Sequence, residues 1–336
     1  MTPLFLGLAG ERLTDDERAL FRDAEPAGYI LFKRNVVDRA QLRGLTDDLR
    51  ALSGRADLPI LIDQEGGRVA RMQPPEWPAF PNAERFGRLY DIAPMTAIEA
   101  VRANSRALAT MLVEVGITVD CLPLLDVRQP GANDIIGDRS FGPEPLRVAA
   151  LGRAAIEGLR DGGVVGVVKH MPGHGRALVD SHLELPVVDA GLEELETDLA
   201  PFKALRQAPM AMTAHVVYTA WDPENCGTLS HRIITEVIRN GIGFDGLLMS
   251  DDLGMHALKG DFGSRTRGAL DAGCDIALHC SGVFEEMTAC VNAADEISAA
   301  SRSRLDRAMA TAEAPTLPPL EELLATRDAL FAAAAA

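Results

Sequence analysis

Four short segments concentrate side chains that can attack, protonate or clamp a polar substrate. Ser250-Asp251-Asp252 sets two adjacent carboxylates at the end of an apolar run. Asp180-Ser181-His182 places an aspartate two residues from a histidine. At that spacing the carboxylate can orient the imidazole and stabilise its protonated form. Asp63-Gln64-Glu65-Gly66-Gly67-Arg68 and Lys169-His170 add further carboxylates and cations. An ionised aspartate can act as a nucleophile, and a paired histidine can give and take a proton. Each group also has a structural reading. Asp251 could cap the helix that follows; where Asp251 reacts, Asp252 takes the capping or scaffold role. Asp180-Ser181-His182 could be a solvated loop. Lys169 could serve only a salt bridge, and His170 could be a satisfied core histidine.

Short apolar runs carry these residues, and helical patterns separate the runs. The runs are 4–8, 28–32, 58–62, 119–125, 164–168, 210–214, 246–249 and 275–278. Unbroken apolar stretches of this length suit parallel strands covered on both faces. Between them, 98–115, 148–159, 192–205, 233–238 and 264–272 show the periodicity of amphipathic helices, with Ser230 as an N-cap for the fourth. Eight strands alternating with helices predict a single (β/α)8 barrel spanning residues 1–336, with a helical, fraying tail from about 316. An open doubly wound sheet is the other topology, but no Gly-x-Gly-x-x-Gly follows the first strand.

In such a barrel the C-terminal strand ends form the active site. Six of the eight predicted strands end on an ionisable residue, at Asp63, Asp126, Lys169-His170, His215, Asp251-Asp252 and His279. Six together imply one polar pocket. His215 is equally suited to a structural hydrogen bond.

Composition narrows the partners. The formal net charge is -16, from 49 acidic and 33 basic residues. So acidic a surface repels phosphate backbones and anionic lipid, which disfavours nucleic acid and membrane as partners. The five cysteines are odd in number and lack C-x-x-C spacing, as expected of reduced, buried thiols in a cytoplasmic protein. The N-terminal residues lack a basic region and read as a first strand rather than a signal peptide. No apolar run approaches ~18 residues. The seven histidines form no His-Glu-x-x-His pattern, and no metal or other cofactor is expected.

The polar segments also carry a family resemblance. Leu61-Ile62-Asp63-Gln64-Glu65-Gly66-Gly67-Arg68-Val69 resembles the D-Q-E-G-G-R-V segment of glycoside hydrolase family 3. Lys169-His170-Met171-Pro172-Gly173-His174-Gly175 with Asp180-Ser181-His182 resembles the K-H-F-P-G-H-G…D-S-H loop of its N-acetylhexosaminidase branch. Met171 stands for the usual Phe, a soft apolar exchange. Ile136-Gly137-Asp138-Arg139-Ser140-Phe141-Gly142 fits the same branch, and Ser250-Asp251-Asp252-Leu253-Gly254-Met255 resembles the segment bearing the family nucleophile.

The resemblance implies a retaining β-N-acetylglucosaminidase with Asp251 as nucleophile and His182, paired with Asp180, as acid/base. It implies sugar binding by Asp63, Arg71, Arg139, Lys169 and His170. The implied substrate is a small carbohydrate, terminal β-N-acetylglucosamine on 1,6-anhydro-muropeptides of cell-wall recycling. A β-glucosidase or a phosphorylase of the same family is the alternative. A non-catalytic sugar-binding protein would need neither Asp251 nor the Asp180–His182 pair.

Overall fold

The computed structural model describes residues 1–312 and 317–335. Eight parallel strands close into a barrel: β1 Thr2–Gly7, β2 Pro26–Leu31, β3 Ile60–Ile62, β4 Val119–Asp120, β5 Val165–Met171, β6 Met210–Thr213, β7 Leu247–Asp252 and β8 Ile276–His279. Strand order follows the chain, and β8 closes on β1 with Phe5 opposite Leu278. The predicted (β/α)8 barrel is therefore the fold.

Alternation along the strands builds two cores. Phe5, Ile30, Leu61, Val119, Val167, Met212, Met249 and Leu278 fill the barrel interior. Their neighbours Leu4, Leu6, Tyr29, Leu31, Ile60, Ile62, Val168 and Leu248 face the helical shell. Both faces of each strand are buried, which explains the unbroken apolar runs.

The shell consists of α1 Asp15–Ala24, α2 Arg39–Ser53, α3 Ala83–Ile92, α4 Pro94–Glu114, α5 Pro145–Asp161, α6 Leu192–Ala204, α7 Phe262–Ala272 and α8 Phe284–Ala293, then α9 Ala299–Met309 and α10 Leu320–Ala335. A π-helical turn, Ile233–Ile242, fills the slot between β6 and β7. Its approach is capped by Ser230, whose Oγ accepts from the Ile233 amide at 3.1 Å. Helix starts are chemically marked elsewhere too. Thr14 and Glu17 form a capping box at α1, and Asp38 and Asp261 cap α2 and α7.

Two elements differ from the sequence reading. The expected strand 119–125 ends at Asp120, leaving only an isolated bridge between Leu124 and Lys169. Pro123 offers no ladder donor there. The expected start of the tail near 316 lies outside the described residues, and α10 is docked against the shell over residues 323–331. Its Leu323 is buried, and Arg327 donates to Asn104 Oδ1 of α4 at 3.3 Å. Phe331 packs on Phe86 with ring centroids 5.1 Å apart. All five cysteines are unpaired and buried. Among the described residues, no helix is long and apolar enough to cross a membrane.

Candidate active site

Strand parity decides which end residues reach the pocket. Leu61, Val167 and Met249 point into the barrel, so the residues two further along, Asp63, Lys169 and Asp251, continue on the inner face. All three line one pocket of about 250 Å³ at the C-terminal mouth, with Arg71, Arg139, His170 and His182. Asp180 reaches the site only through His182.

His279 has the other parity. Its ring is buried in edge contact with Phe262, outside the pocket. His215 is also outside. Its Nδ1 lies 2.7 Å from Thr228 Oγ1 and its Nε2 2.9 Å from the Asp252 carbonyl. One nitrogen thereby ties the segment after β6 to Thr228 and the other ties it to β7. Of the six expected strand ends, those of β3, β5 and β7 line the pocket. Asp126 lies beyond the end of β4 and underpins the site from beneath.

The floor of the pocket is a buried charge cluster. Lys169 Nζ donates to Asp63 Oδ1 at 3.0 Å and lies 2.7 Å from Glu65 Oε1. Arg71 Nη2 donates to Asp63 Oδ2 at 2.9 Å. Arg139 grips Glu65 with Nε and Nη2, both at 2.8 Å, a bidentate clamp. Burial alone would raise both carboxyls, but these cations outweigh it. They hold Asp63 well below the usual carboxylate range and Glu65 at about 2. Lys169 stays charged because the two carboxylates outweigh its burial. Glu65 is thus spent on the cluster and cannot serve as the acid. Arg139 keeps only part of its donor set for a ligand, since its Nη1 also bonds the Ile135 carbonyl at 3.0 Å.

Local folding explains how Arg71 comes to face Asp63. The segment Gln64–Gly66 pairs antiparallel with Val69–Ala70. Gln64 closes this turn, accepting from the Arg71 and Met72 amides at 2.9 and 3.0 Å. Gly66 has φ +100°, and a Cβ there would lie 2.3 Å from the Pro81 carbonyl oxygen. Arg71 also lies over the Phe32 ring, 5.1 Å from its centroid, and Phe32 is itself a lining residue.

Below His170, Asp126 is fully buried. Its Oδ2 is 2.8 Å from His170 Nδ1, and its Oδ1 accepts from the His170 and His174 amides at 3.2 and 2.7 Å. Burial would raise Asp126, yet His170 and His174 keep it below the usual range. The imidazole of His170 is thereby fixed with Nε2 directed away from the aspartate. His174 is pushed down to about 4 by burial and the neighbouring His170, so it is neutral.

Asp251 is half-buried. Its Oδ1 accepts from the Asp252 amide at 2.8 Å, and among the described residues no cation pairs with it directly. Burial would raise its pKa, but the surrounding His170 and His215, that amide and His182 bring it below the ordinary value. It is therefore an ionised carboxylate facing the pocket. Asp252 takes the scaffold role, accepting through Oδ1 from the Gly254 and Cys280 amides at 2.9 and 3.0 Å.

His182 arrives on the loop after β5. Asp180 Oδ1 accepts from both the His182 amide and Nδ1, each at 2.8 Å. That carboxyl lies below its ordinary value because the bonds from His182 outweigh burial. The imidazole remains 59% exposed. The Pro172–Gly175 stretch is buried. A Cβ on Gly175 would lie 2.0 Å from the Val127 carbonyl oxygen.

Sequence reasoning missed several contributors. Arg68, inside the first motif, lines the pocket and is held by Asp138 Oδ1 at 2.9 Å. Phe32 carried a signal, since it lies two residues beyond the inward Ile30. Asp120 also escaped notice. It is fully buried, its Oδ1 accepts from the Gln64 amide at 3.0 Å, and burial pushes it up to about 8. A neutral acid inside an apolar run was the available signal. Among the described residues, no three His, Cys, Asp or Glu side chains are grouped to hold a metal ion.

Residues 5–311 match the model of the glycosyl hydrolase family 3 N terminal domain. A protein named beta-hexosaminidase from Thiobacillus denitrificans is 38% identical over 336 residues, covering 98% of this chain and 92% of its own. NagZ from Neisseria gonorrhoeae, solved in complex with N-trifluoroacetyl-D-glucosamine, superposes with a TM-score of 0.87 at 33% identity, over 100% of this chain and 98% of that one. A family 3 beta-N-acetylglucosaminidase from Paenibacillus gives a TM-score of 0.87 at 30% identity over 98% of this chain, which spans 66% of that longer protein. The barrel, the strand-end carboxylate pocket and these likenesses converge, and the chain belongs to glycosyl hydrolase family 3, as a glycoside hydrolase.

Proposed function

We propose that this enzyme is a retaining β-N-acetylglucosaminidase. The observation carrying this reading is that one pocket receives an ionised Asp251 from the barrel and an Asp180-backed His182 from a loop. Asp251 Oδ2 attacks the anomeric carbon. His182 protonates the leaving oxygen in that step and takes a proton from water in the next, releasing the sugar from a glycosyl-aspartate. Asp63, Arg71 and Lys169 bind the hydroxyls of the non-reducing sugar, while His170 and Arg139 complete its walls. Carboxylates suit hydroxyls because they accept strong, paired hydrogen bonds.

The N-acyl glucosamine held by the gonococcal relative supports an acetamido-sugar pocket here. The natural substrate in this reading is terminal β-N-acetylglucosamine on 1,6-anhydro-muropeptides, cleaved in the cytoplasm. Five unpaired, buried thiols suit a reducing compartment.

The decisive experiment uses p-nitrophenyl β-N-acetylglucosaminide and β-glucoside, with and without phosphate. The N-acetyl substrate is strongly preferred, because a pocket built for the acetamido group leaves polar atoms unpaired without it. Proton NMR shows the β-anomer first. Equal rates on both sugars support a β-glucosidase, phosphate-dependent release of sugar phosphate supports a phosphorylase, and first-formed α-anomer overturns the nucleophile.

A further inference from the structure

The loop carrying Asp180 and His182 has a firm half and a free half. The Gly173 carbonyl accepts from Tyr218 Oη at 2.8 Å, the Gly175 carbonyl from the Gln129 amide at 3.0 Å, and the Ala177 carbonyl from the Asn133 amide at 2.8 Å. Beyond Ala177, Leu178, His182, Leu183 and Glu184 are all exposed, and over 178–184 only Ser181 is buried, its Oγ 3.2 Å from Nε2 of His174 in the firm half. The dyad therefore inherits its position from the firm half.

One side chain of that half is charged and reaches the helical shell. Arg176 Nε donates to Asp198 Oδ2 on α6 at 2.5 Å, its Nη2 donates to the Glu194 carbonyl at 3.0 Å, and its Nη1 lies 3.6 Å from Glu194 Oε1. Asp198 is only 2% exposed. It also backs the loop sterically, since a Cβ on Gly173 would lie 3.0 Å from its own Cβ. A carboxylate buried this deeply is costly unless its partner is well placed. Burial pushes Asp198 up to about 6 even with Arg176 beside it. With three contacts to α6, Arg176 fixes its segment of the loop against the helical shell.

We propose that Arg176, anchored by Asp198 and Glu194, is a positioning residue that sets His182 over the leaving group, affecting the reaction through His182 alone. This rests on His182 being the acid/base. A latch of this kind acts on proton transfer to the leaving oxygen and leaves sugar binding untouched.

Four variants test it: His182→Ala, Arg176→Ala, their combination, and Arg176→Lys. Each is assayed on diacetylchitobiose, with a poor leaving group, and on dinitrophenyl β-N-acetylglucosaminide, with a good one. Arg176→Ala lowers kcat on chitobiose by roughly 10–10²-fold, the size of an ångström-scale misplacement. KM stays within about twofold, and the dinitrophenyl burst is spared. In the His182→Ala background the same change costs nothing further. Arg176→Lys recovers part of the rate by keeping a charge opposite Asp198. If Arg176→Ala misfolds, Arg176→Met/Asp198→Leu replaces the pair without leaving a buried charge alone and shows the same kinetic pattern. Equal losses on both substrates, a change in KM alone, or additive loss with His182→Ala overturns the latch. If His182→Ala itself lacks leaving-group dependence, the acid/base reading falls and the latch falls with it. A dependence present in His182→Ala but absent in Arg176→Ala removes the latch only.

Discussion

The floor of the pocket and the loop above it are built on opposite terms. In the floor, Lys169 is 2% exposed and Glu65 4%, and five charged side chains are linked, Lys169 to both Asp63 and Glu65, Arg71 to Asp63 and Arg139 to Glu65. On the loop, His182 is 59% exposed and answers to one aspartate. In the floor, Lys169 lies on β5, Asp63 directly follows β3 and Glu65 stands in the hairpin after it, so the barrel ladder fixes the backbone nearby. The loop answers only to its firm half. A group that recognises an unchanging sugar gains from being fixed in advance. A group that must meet a departing alkoxide and then an incoming water needs access from solvent. The expected consequence is that floor and nucleophile mutations act on all substrates alike, while loop mutations discriminate among leaving groups.

The largest effect falls on Asp251. Asp251→Ala lowers kcat by at least roughly 10⁴-fold on every leaving group, because the proposed mechanism assigns the attack to Asp251 and its neighbours in the pocket are otherwise engaged, Asp63 by Lys169 and Arg71 and Asp252 by backbone amides. Its circular dichroism and melting curve stay close to those of the parent. A mechanism-based fluorosugar labels Asp251 in the parent protein, and peptide mapping checks the position. Label on another residue, or substantial residual turnover, breaks the assignment.

His182→Ala comes next, with each lost proton transfer costing roughly 10²–10⁴-fold. The loss is full for chitobiose and small for dinitrophenolate release, which needs little protonation. Slow deglycosylation then follows a burst of phenolate, visible by stopped flow. Asp180→Asn is milder, since the imidazole remains but loses its orienting carboxylate. A uniform loss across leaving groups would make the loop an ordinary structural element.

A floor mutation differs in kind. Lys169→Met removes the cation shared by Asp63 and Glu65, leaving each buried carboxylate with its arginine alone. Stability drops by about 3 kcal/mol, at the low end for breaking a buried pair because those arginines remain. His182→Ala changes stability by less than about 0.5 kcal/mol, as exposed positions do. Urea denaturation of the two variants gives the comparison directly. Similar midpoints would mean that the floor is no more constrained than the loop.

How much of this was legible in the sequence follows from parity and distance along the chain. The strands were visible because both faces are buried, so their residues run apolar without interruption. Asp63, Lys169 and Asp251 could be placed because they stand beyond inward-facing residues, and the pairing of Asp180 with His182 is local. The contacts of Glu65 were hidden, since Arg139 lies 74 residues away and no local pattern announces that bond. His215 and His279 looked eligible because a strand end is easily recognised while its inner or outer face is not. The anchoring of Arg176 to Asp198 depends on how α6 packs under the loop. Asp120 was lost inside the run 119–125, read as one strand.

Asp120 gives the last and smallest effect on rate, and it tests what the floor's rigidity costs. It lies beside Asp63, Glu65 and Lys169, and burial raises it from 3.8 to about 8. At neutral pH it is therefore an uncharged acid in the folded protein and a carboxylate in the unfolded chain. Between about pH 4 and pH 8 the folded state holds a proton that the unfolded state has released. Asp120 thus contributes its full share of stability below about pH 4, and that share is lost as pH rises through about 8. Asp120→Asn titrates in neither state and can keep the bond from the Gln64 amide. The variant should match the parent near pH 4 and exceed it by a few kcal/mol, on the order of the pKa shift, near pH 9. Denaturation midpoints across that range measure the difference. Turnover at pH 7 should change less than about threefold, because Asp120 does not line the pocket. Parallel stability curves would show that the floor accommodates this carboxylate as easily as the loop accommodates Asp180, and the contrast between the two regions would then rest on the Lys169 cluster alone.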